Sequence, residues 1–405
     1  MIYQTYQVLA DTKKPLQMLA ELAASIIEAP RAGLAEHPFL RKLAAASELI
    51  RRCGLTHKRP AFGIKTVSQG DRSFAVTEEA VLATPFATLL HFKKEGAEEQ
   101  PRVLLVSPMS GHFATLLRDT VRTMLPDHDV YITDWHNARD IPLGSGRFDL
   151  DDFIDHLIAF LAAIGPGCHV VAICQPSVPT LAAAAIMAER DHDAQPRSIT
   201  LMAGPIDTRV NPTKVNAFAT SRPIEWFHAA VIGVVPWRYG GAMRPVYPGF
   251  VQLLSFMGMN IERHLKAFND LYDNLANGDY AKAESIRQFY DEYFAVMDLP
   301  AEFFLQTIHE VFQLHHLPRG KMRYRGHKVD PRAIRRSFLL TIEGERDDIC
   351  AVGQTLPAQE LCSGLRPYMK KHYVQVGVGH YGVFSGRRWA SQTYPVLRDV
   401  IYASR

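Results

Sequence analysis

Short apolar runs alternate with amphipathic segments between residues 100 and 203. Brief runs of aliphatic and β-branched residues are typical of strands buried on both faces, whereas apolar positions three and four residues apart are typical of helices. The predicted strands are 103–106, 129–133, 169–173 and 198–202, and the predicted helices between them include 150–163 and 181–190. Such alternation predicts a parallel, doubly wound sheet, with ligands above the carboxyl ends of its strands.

The alternation stops at residue 203 and returns near the C-terminus. Strands are predicted at 338–342 and 372–376, followed by a closing helix over 387–402. Residues 204–336 contain no convincing strand, are rich in aromatic side chains, and show amphipathic helical patterns over 260–276 and 280–316. An interval this long is not a loop. It is therefore predicted to be a helical cap inserted into the sheet domain.

The first 94 residues show two further patterns. Residues 12–55 are predicted to be helical, because Leu16, Leu19, Leu22, Ile26 and Ile27 recur at helical spacing. Residues 62–94 show short alternating runs, which predict an antiparallel pair of strands. The predicted organisation is a helical segment packing on the core (1–60), a catalytic core (61–203 and 337–405) and a cap or lid (204–336).

Composition excludes several classes of protein. The chain has 405 residues, 47% of them hydrophobic and 21% charged, as is ordinary for a soluble globular protein. A net charge of +3 gives no reason to expect nucleic acid as a partner, and no apolar run reaches the length of a membrane span. The N-terminus lacks the pattern of a signal peptide, and five scattered cysteines favour free thiols in a reducing cytoplasm. The oligomeric state stays open, with a homodimer as one alternative.

The strand predicted at 169–173 leads directly into Cys174-Gln-Pro176 and then into a helix. A side chain at such a turn projects above the sheet, and the helix N-terminus behind it stabilises an anion. This is the arrangement of a nucleophile elbow, usually written G-x-S-x-G. Buried cysteines are mostly inert, so the pattern needs partners elsewhere in the chain before Cys174 can be assigned as a nucleophile.

Two such partners follow late strands. Asp347 comes after the strand predicted at 338–342, and His380 lies in a glycine-rich loop after the last strand. The order nucleophile, acid, histidine is that of the α/β-hydrolases, so we predict an α/β-hydrolase fold with an inserted helical cap. Asp348 competes with Asp347 for the role of the acid. Asp347 is preferred because hydrolases of this fold commonly place the acid three residues after a turn glycine, here Gly344.

Further residues are assigned around this predicted triad. The backbone N–H of Gln175, directly after the nucleophile, should be one oxyanion donor, and that of Met109 or Ser110 the other. His112 is interpreted as packing at a helix N-terminus. Two stretches of the cap that are rich in proline and glycine, 234–241 and 243–250, favour either an apolar rim over a pocket or plain packing. The candidate substrate-binding residues in them are Trp237, Tyr239 and Tyr247.

No metal or cofactor is predicted. His309-Glu310 with His315 and His316 does not match the spacing of H-E-x-x-H, and no phosphate-binding or dinucleotide fingerprint is present. The basic run over 319–336 is interpreted as a solvated face, with a docking site for anionic partners as the minority alternative.

The chain resembles the intracellular polyhydroxyalkanoate (poly-3-hydroxybutyrate) depolymerases, in the branch with a cysteine nucleophile, over nearly its whole length. The motifs that carry the resemblance are Ser110-Gly-His-Phe-Ala-Thr-Leu-Leu-Arg-Asp119, Asp134-Trp-His-Asn-Ala-Arg-Asp-Ile-Pro142, Cys174-Gln-Pro176, Glu343-Gly-Glu-Arg-Asp-Asp-Ile349 and Gly379-His-Tyr-Gly-Val-Phe-Ser-Gly386. The resemblance implies a triad of Cys174, Asp347 and His380. It also implies cytoplasmic work on amorphous storage granules, releasing 3-hydroxybutyrate or short oligomers.

When a thiol nucleophile attacks an ester, the enzyme is acylated as a thioester. Water or another thiol can then attack this thioester, so coenzyme A is a candidate co-substrate. Two alternative functions stay open at this point. The first is an acyltransferase of the polyhydroxyalkanoate synthase type, against which Pro176 stands where a glycine is expected. The second is a non-catalytic granule-associated protein, against which the complete set of three triad residues argues.

Overall fold

The computed structural model describes residues 2–27, 37–52, 54–259 and 261–404. In chain order, strands β1 to β14 are Thr66–Gln69, Arg72–Ala83, Ala87–Lys94, Arg102–Val106, Asp129–Trp135, His169–Ile173, Ser198–Met202, Gly233–Val234, Pro245–Tyr247, Leu299–Pro300, Arg323–Tyr324, His327–Lys328, Phe338–Gly344 and Lys370–Gln375. Helices α1 to α14 are Ile2–Ile27, Pro38–Arg52, Arg118–Met124, Leu150–Ile164, Ser177–Glu189, Lys214–Thr220, Ile224–Val231, Gly249–Met259, Ile261–Asn277, Tyr280–Tyr293, Ala301–Gln306, Ala358–Leu361, Gly386–Arg388 and Tyr394–Ala403.

Nine strands form one sheet in the order β1-β2-β3-β5-β4-β6-β7-β13-β14. The first three strands pair antiparallel, and β3 pairs antiparallel with β5. From β5 to β14 every neighbouring pair is parallel. Without β1, this is the strand order of an α/β-hydrolase sheet. The predicted fold class is therefore confirmed.

The central strands are buried on both faces because helices cover the sheet on each side. Along β6, Val170 and Ala172 pack into one core, and Val171 and Ile173 pack into the other. Each of these side chains is at most 1% exposed. The loop that follows Ile173 therefore starts from a strand that packing holds on both sides.

The segment between β7 and β13 contains six helices, α6 to α11, and differs from the prediction in having short strands. β8, β9 and β10 form a small sheet, and β11 pairs with β12. The helix predicted over 280–316 is interrupted after α10 and resumes with α11, because residues 294–300 are buried and pair laterally with other segments. Val296 bridges to His112, and Leu299 pairs with Tyr247. Residues 294–300 therefore pair with neighbouring segments and do not continue the helix.

The N-terminal helix α1 is attached mainly through its first turns and through α2. Tyr3 is buried, and its hydroxyl donates a hydrogen bond of 2.6 Å to Asp298 Oδ2. Leu16, Leu19 and Leu22, which were predicted to pack on the core, are instead 56%, 64% and 58% exposed. Helical spacing identifies a shared face, but only the neighbours of the helix decide whether that face is covered. The side chains of Ile26 and Ile27 lie outside the described residues.

Within the described ranges, which leave out 28–36 and four single positions, no helix combines the length and the apolar character that crossing a bilayer requires.

Candidate active site

Cys174 occupies a sharp turn between β6 and α5. Its backbone φ is +67°, in the left-handed region that non-glycine residues rarely adopt. The turn is held on both sides, because the Cys174 N–H donates to Met202 O at 2.8 Å and the Ser177 N–H donates to Cys174 O at 3.0 Å. The side chain is half-buried, at the N-terminal end of a 13-residue helix. A strained residue at this position is the structural mark of a nucleophile elbow.

The tight packing that an elbow requires comes from a glycine just after the neighbouring strand. A Cβ atom built on Gly204 would overlap the Ser177 side chain and would lie 3.3 Å from Cys174 O. The usual motif has glycines on either side of its nucleophile, whereas this chain has Ala172 and Pro176. Space for the turn is therefore supplied by Gly204, which follows β7.

Gly204→Ala is expected to lower the free energy of unfolding by about 1–3 kcal/mol, because the extra methyl group forces the elbow to shift. Activity should fall with it, since the shift moves Cys174. Gly144→Ala is the matched control, because nothing lies within 4 Å of the added Cβ atom there. Denaturant unfolding of both variants measures the difference, and equal stabilities would contradict the packing argument.

Asp347 and His380 form a buried hydrogen-bonded pair above the carboxyl ends of β13 and β14. Asp347 Oδ2 accepts a bond of 2.7 Å from His380 Nδ1. Its other oxygen, Oδ1, accepts the backbone N–H groups of Ile349 and Cys350 at 2.9 Å and 2.8 Å. These bonds fix the carboxylate and assign the proton of the imidazole to Nδ1. Asp348 lies on the exposed side of the same loop, so the structure pairs Asp347 with the histidine.

The electrostatics of His380 favour its charged form. Burial by itself would lower the pKa of His380, but the carboxylate of Asp347 and the side chain of Cys174 raise it well above its ordinary value. A stabilised imidazolium beside a thiol favours transfer of the thiol proton to the ring.

The predicted oxyanion donors are available. The backbone N–H groups of Gln175, Met109 and Ser110 make no hydrogen bond with any residue that the structure describes. Gln175 follows Cys174 directly, and the other two lie in the loop after β4, whose end is adjacent to that of β6. Donors from these two loops can converge on an oxygen next to the nucleophile. Their role stays a prediction.

His112 lies near the site but is packed as an uncharged ring. It is 3% exposed, and its Nε2 lies 3.2 Å from Tyr293 O, which can only accept a hydrogen bond. Burial lowers the pKa of His112 to about 4. This packing agrees with the interpretation of His112 made from the sequence.

Lowering the pH from 7 to 5 is expected to cost the protein about 2 kcal/mol of stability through His112. The unfolded state takes up the proton at its ordinary pKa near 6.5, whereas the folded state resists it until about pH 4. Stability from this group is therefore present above pH 6.5 and is lost as the pH falls. Denaturant unfolding at the two pH values should show a smaller loss for His112→Gln, and an unchanged loss for the exposed control His228→Gln.

The three residues predicted to bind substrate lie in different surroundings. Trp237 is 80% exposed. Tyr239 is covered by the Arg139 guanidinium, 3.5 Å above its ring, and Tyr247 is buried against Phe304 with ring centroids 3.7 Å apart. None of the three lines the cavity beside His380. The arrangement of the site therefore gives their predicted role no support.

A cavity of about 650 Å³ opens beside His380 instead. Its walls are α8, α9, α10 and the two loops that carry Asp347 and His380. The Phe and Tyr side chains of its lining are Phe256, Phe289, Tyr290, Tyr293 and Tyr381. Sequence reasoning identified α9 and α10 only as amphipathic. Among the residues that line the cavity, Tyr381 could have been found from the sequence, because it directly follows the predicted catalytic histidine.

Within the described ranges, no three His, Cys, Asp or Glu side chains form a group that could hold a metal ion. The described cysteines 168, 174, 350 and 362 are free thiols. Burial raises the pKa of Cys168 and of Cys362 to about 12, so both stay protonated at neutral pH. Cys53 lies outside the described residues.

Comparison with protein families matches residues 203–405 to the family described as the C-terminus of PHB (poly-3-hydroxybutyrate) depolymerases. The chain belongs to the PHB depolymerase family. It is therefore an ester hydrolase, and the resemblance seen in the sequence is confirmed at the level of the family. The matched region includes Asp347 and His380, whereas Cys174 precedes it, so membership of a cysteine branch stays a prediction. Comparison with curated proteins found no match to this chain.

Solved structures similar to this chain come from α/β-hydrolases of low sequence identity. An epoxide hydrolase from Bacillus megaterium is 11% identical, with a TM-score of 0.48, over 79% of this chain and 99% of that one. A meta-cleavage product hydrolase from Pseudomonas fluorescens is 16% identical, with a TM-score of 0.43, over 78% of this chain and 96% of that one.

Proposed function

We propose that this depolymerase hydrolyses the ester bonds of amorphous poly-3-hydroxybutyrate, with Cys174 as nucleophile, His380 as general base and acid, and Asp347 as the residue that orients and charges the histidine. The observation that carries the proposal is the buried 2.7 Å bond from His380 to Asp347, beside a strained cysteine at the elbow. Family membership supports the polymer as substrate. The proposed place of action is the surface of storage granules in the cytoplasm.

The first half of the reaction forms a thioester. His380 takes the proton of Cys174, and the thiolate attacks the ester carbonyl, which forms a C–S bond. The resulting oxyanion would be held by the backbone N–H of Gln175 and by that of Met109 or Ser110, where loss of one donor typically costs about 3 kcal/mol. The C–O bond of the ester then breaks. His380 gives its proton to the departing alkoxide, which becomes the hydroxyl end of the released fragment.

Protonation of the alkoxide decides the direction of this step. A thiolate is a better leaving group than an alkoxide, so the tetrahedral intermediate would otherwise collapse back to substrate. The raised pKa of His380 keeps the required proton on the ring. Water, deprotonated by the neutral imidazole, then attacks the thioester, releases a carboxylate product and restores the thiol. Coenzyme A is a second proposed acceptor, because a thiol can replace water in this half.

Native amorphous granules test the proposal. Wild-type protein is expected to reduce their turbidity and to release 3-hydroxybutyrate or its short oligomers. A parallel reaction with coenzyme A should yield 3-hydroxybutyryl-CoA if thiolysis occurs, and its absence would refute that part alone. Incubation with 3-hydroxybutyryl-CoA separates the synthase alternative, since polymer growth would favour a synthase and overturn the depolymerase proposal. Granule binding without any product would indicate a non-catalytic granule protein.

A further inference from the structure

The cavity beside His380 carries an excess of positive charge on an apolar wall. Arg263 of α9 and Arg346 of the loop after β13 line it from opposite elements, and Asp348 is the one acidic residue among its described lining residues. Neither arginine forms an ion pair or a side-chain hydrogen bond with a described residue. His264 adds no charge at neutral pH, because burial lowers its pKa. The charge of the His380 imidazolium is balanced by Asp347, so two guanidinium groups against the carboxylate of Asp348 leave one positive charge in excess.

The remainder of the lining is suited to an apolar chain. Phe289 and Tyr293 stack with ring centroids 5.3 Å apart, and the Tyr290 hydroxyl is tied to His264 Nδ1 at 2.9 Å. Tyr381 packs both against this aromatic cluster and against the core cluster on which Cys174 also packs. His380 itself lines the cavity, which therefore opens directly onto the candidate general base. A volume of about 650 Å³ is typical of small-molecule sites.

A ligand for this cavity should combine a largely apolar body with one anionic end. Guanidinium groups bind carboxylates well, because their planar N–H donors match the two carboxylate oxygens. A linear oligoester of a hydroxy acid has such a shape, since its ester units are uncharged and one terminus is a free carboxylate. The hydroxyl terminus offers no charge for the arginines.

We propose that Arg263 and Arg346 bind the terminal carboxylate of a linear oligoester, so that the cavity positions an ester bond near that end beside His380. This inference rests on the proposed function and deepens it, because it gives the same site a preference for soluble, acid-ended oligomers. The two arginines are positioning residues. Their effect is expected in KM, with kcat unchanged, because the carboxylate that they bind does not change during the reaction and is held equally in the ground state and the transition state.

The experiment compares the linear trimer of 3-hydroxybutyrate as free acid with the same trimer as its methyl ester. Arg263→Gln and Arg346→Gln are each expected to raise KM for the free acid about threefold to tenfold, a range that allows for the exposure of both side chains. KM for the methyl ester should change by less than about twofold. Arg335→Gln is the matched control, since Arg335 is an exposed arginine outside this lining.

The inference would be overturned if the wild type had equal KM values for the free acid and the methyl ester. It would also be overturned if the arginine variants raised KM equally for both trimers. Either result would leave the proposed function standing. Calorimetric titration of the Cys174→Ala protein with each trimer separates the two claims further. Tighter binding of the free acid that is lost in Arg263→Gln supports the arginine site even if the wild type turns neither trimer over. Equal binding of both trimers to the Cys174→Ala protein overturns it.

Discussion

Replacing Cys174 by alanine is expected to reduce kcat on native granules by at least about a thousandfold, to the background rate of turbidity loss. The thiolate that attacks the ester carbonyl is then missing, and His380 has no bound group to activate. The fold should survive, because Cys174 is half-buried and alanine only removes its sulfur. Initial rates of turbidity loss and product release measure the effect, with circular dichroism as the check on folding.

Cys362→Ala is the matched control for the loss of a thiol. Cys362 is buried in the core, where burial raises the pKa of its thiol to about 12. The variant should lose about 1 kcal/mol of stability and keep its activity within about twofold. Retention of more than about a tenth of the wild-type rate by Cys174→Ala would show that another group is the nucleophile.

Asp347→Asn is expected to lower kcat on the order of 10³- to 10⁴-fold while leaving granule binding intact. An amide at this position cannot stabilise the imidazolium, and its NH₂ group can favour the wrong tautomer of His380. Without the carboxylate, the pKa of His380 falls from its raised value toward the ordinary one. Fewer rings then carry the proton that the leaving alkoxide needs, so the alkaline limb of the profile of kcat/KM against pH should move to lower pH.

Asp348→Asn serves as the comparison, because it removes the same charge one residue further along the loop. Asp348 faces the exposed side, and the hydrogen bond to His380 comes from Asp347. The activity of Asp348→Asn should fall by less than about tenfold, with its alkaline limb in place. Similar losses and similar shifts in both variants would mean that the loop acts by its overall charge and that Asp347 has no specific role.

Local pattern alone identified the elbow and the strands around it. The elbow comprises an apolar strand, a tight turn and a strongly helix-forming segment, all within the 22 residues from His169 to Arg190. Each of these features depends on residues close by in the sequence. The same holds for the positions of Asp347 and His380 after late strands, because the carboxyl ends of parallel strands lie at one edge of a sheet. Family-level function followed from the motifs that surround these residues.

Tertiary structure decided what depends on distant partners. Leu16, Leu19 and Leu22 have the spacing of a buried face, but more than half of each side chain is exposed. The helix predicted over 280–316 is interrupted because residues 294–300 pair with segments such as that of His112. Periodicity describes one segment at a time, and burial is a property of two surfaces in contact.

The sequence by itself determined the doubly wound sheet, the inserted cap, the family and the chain order of the candidate nucleophile, acid and base. Only the tertiary structure decided that Asp347 and not Asp348 pairs with His380, that Gly204 makes room for the elbow, and that Arg263 and Arg346 share a cavity. The reason is distance along the chain. Strand and helix patterns arise from neighbours a few residues apart, whereas these three arrangements join residues 27 to 83 positions apart, from Ser177 to Gly204 and from Arg263 to Arg346.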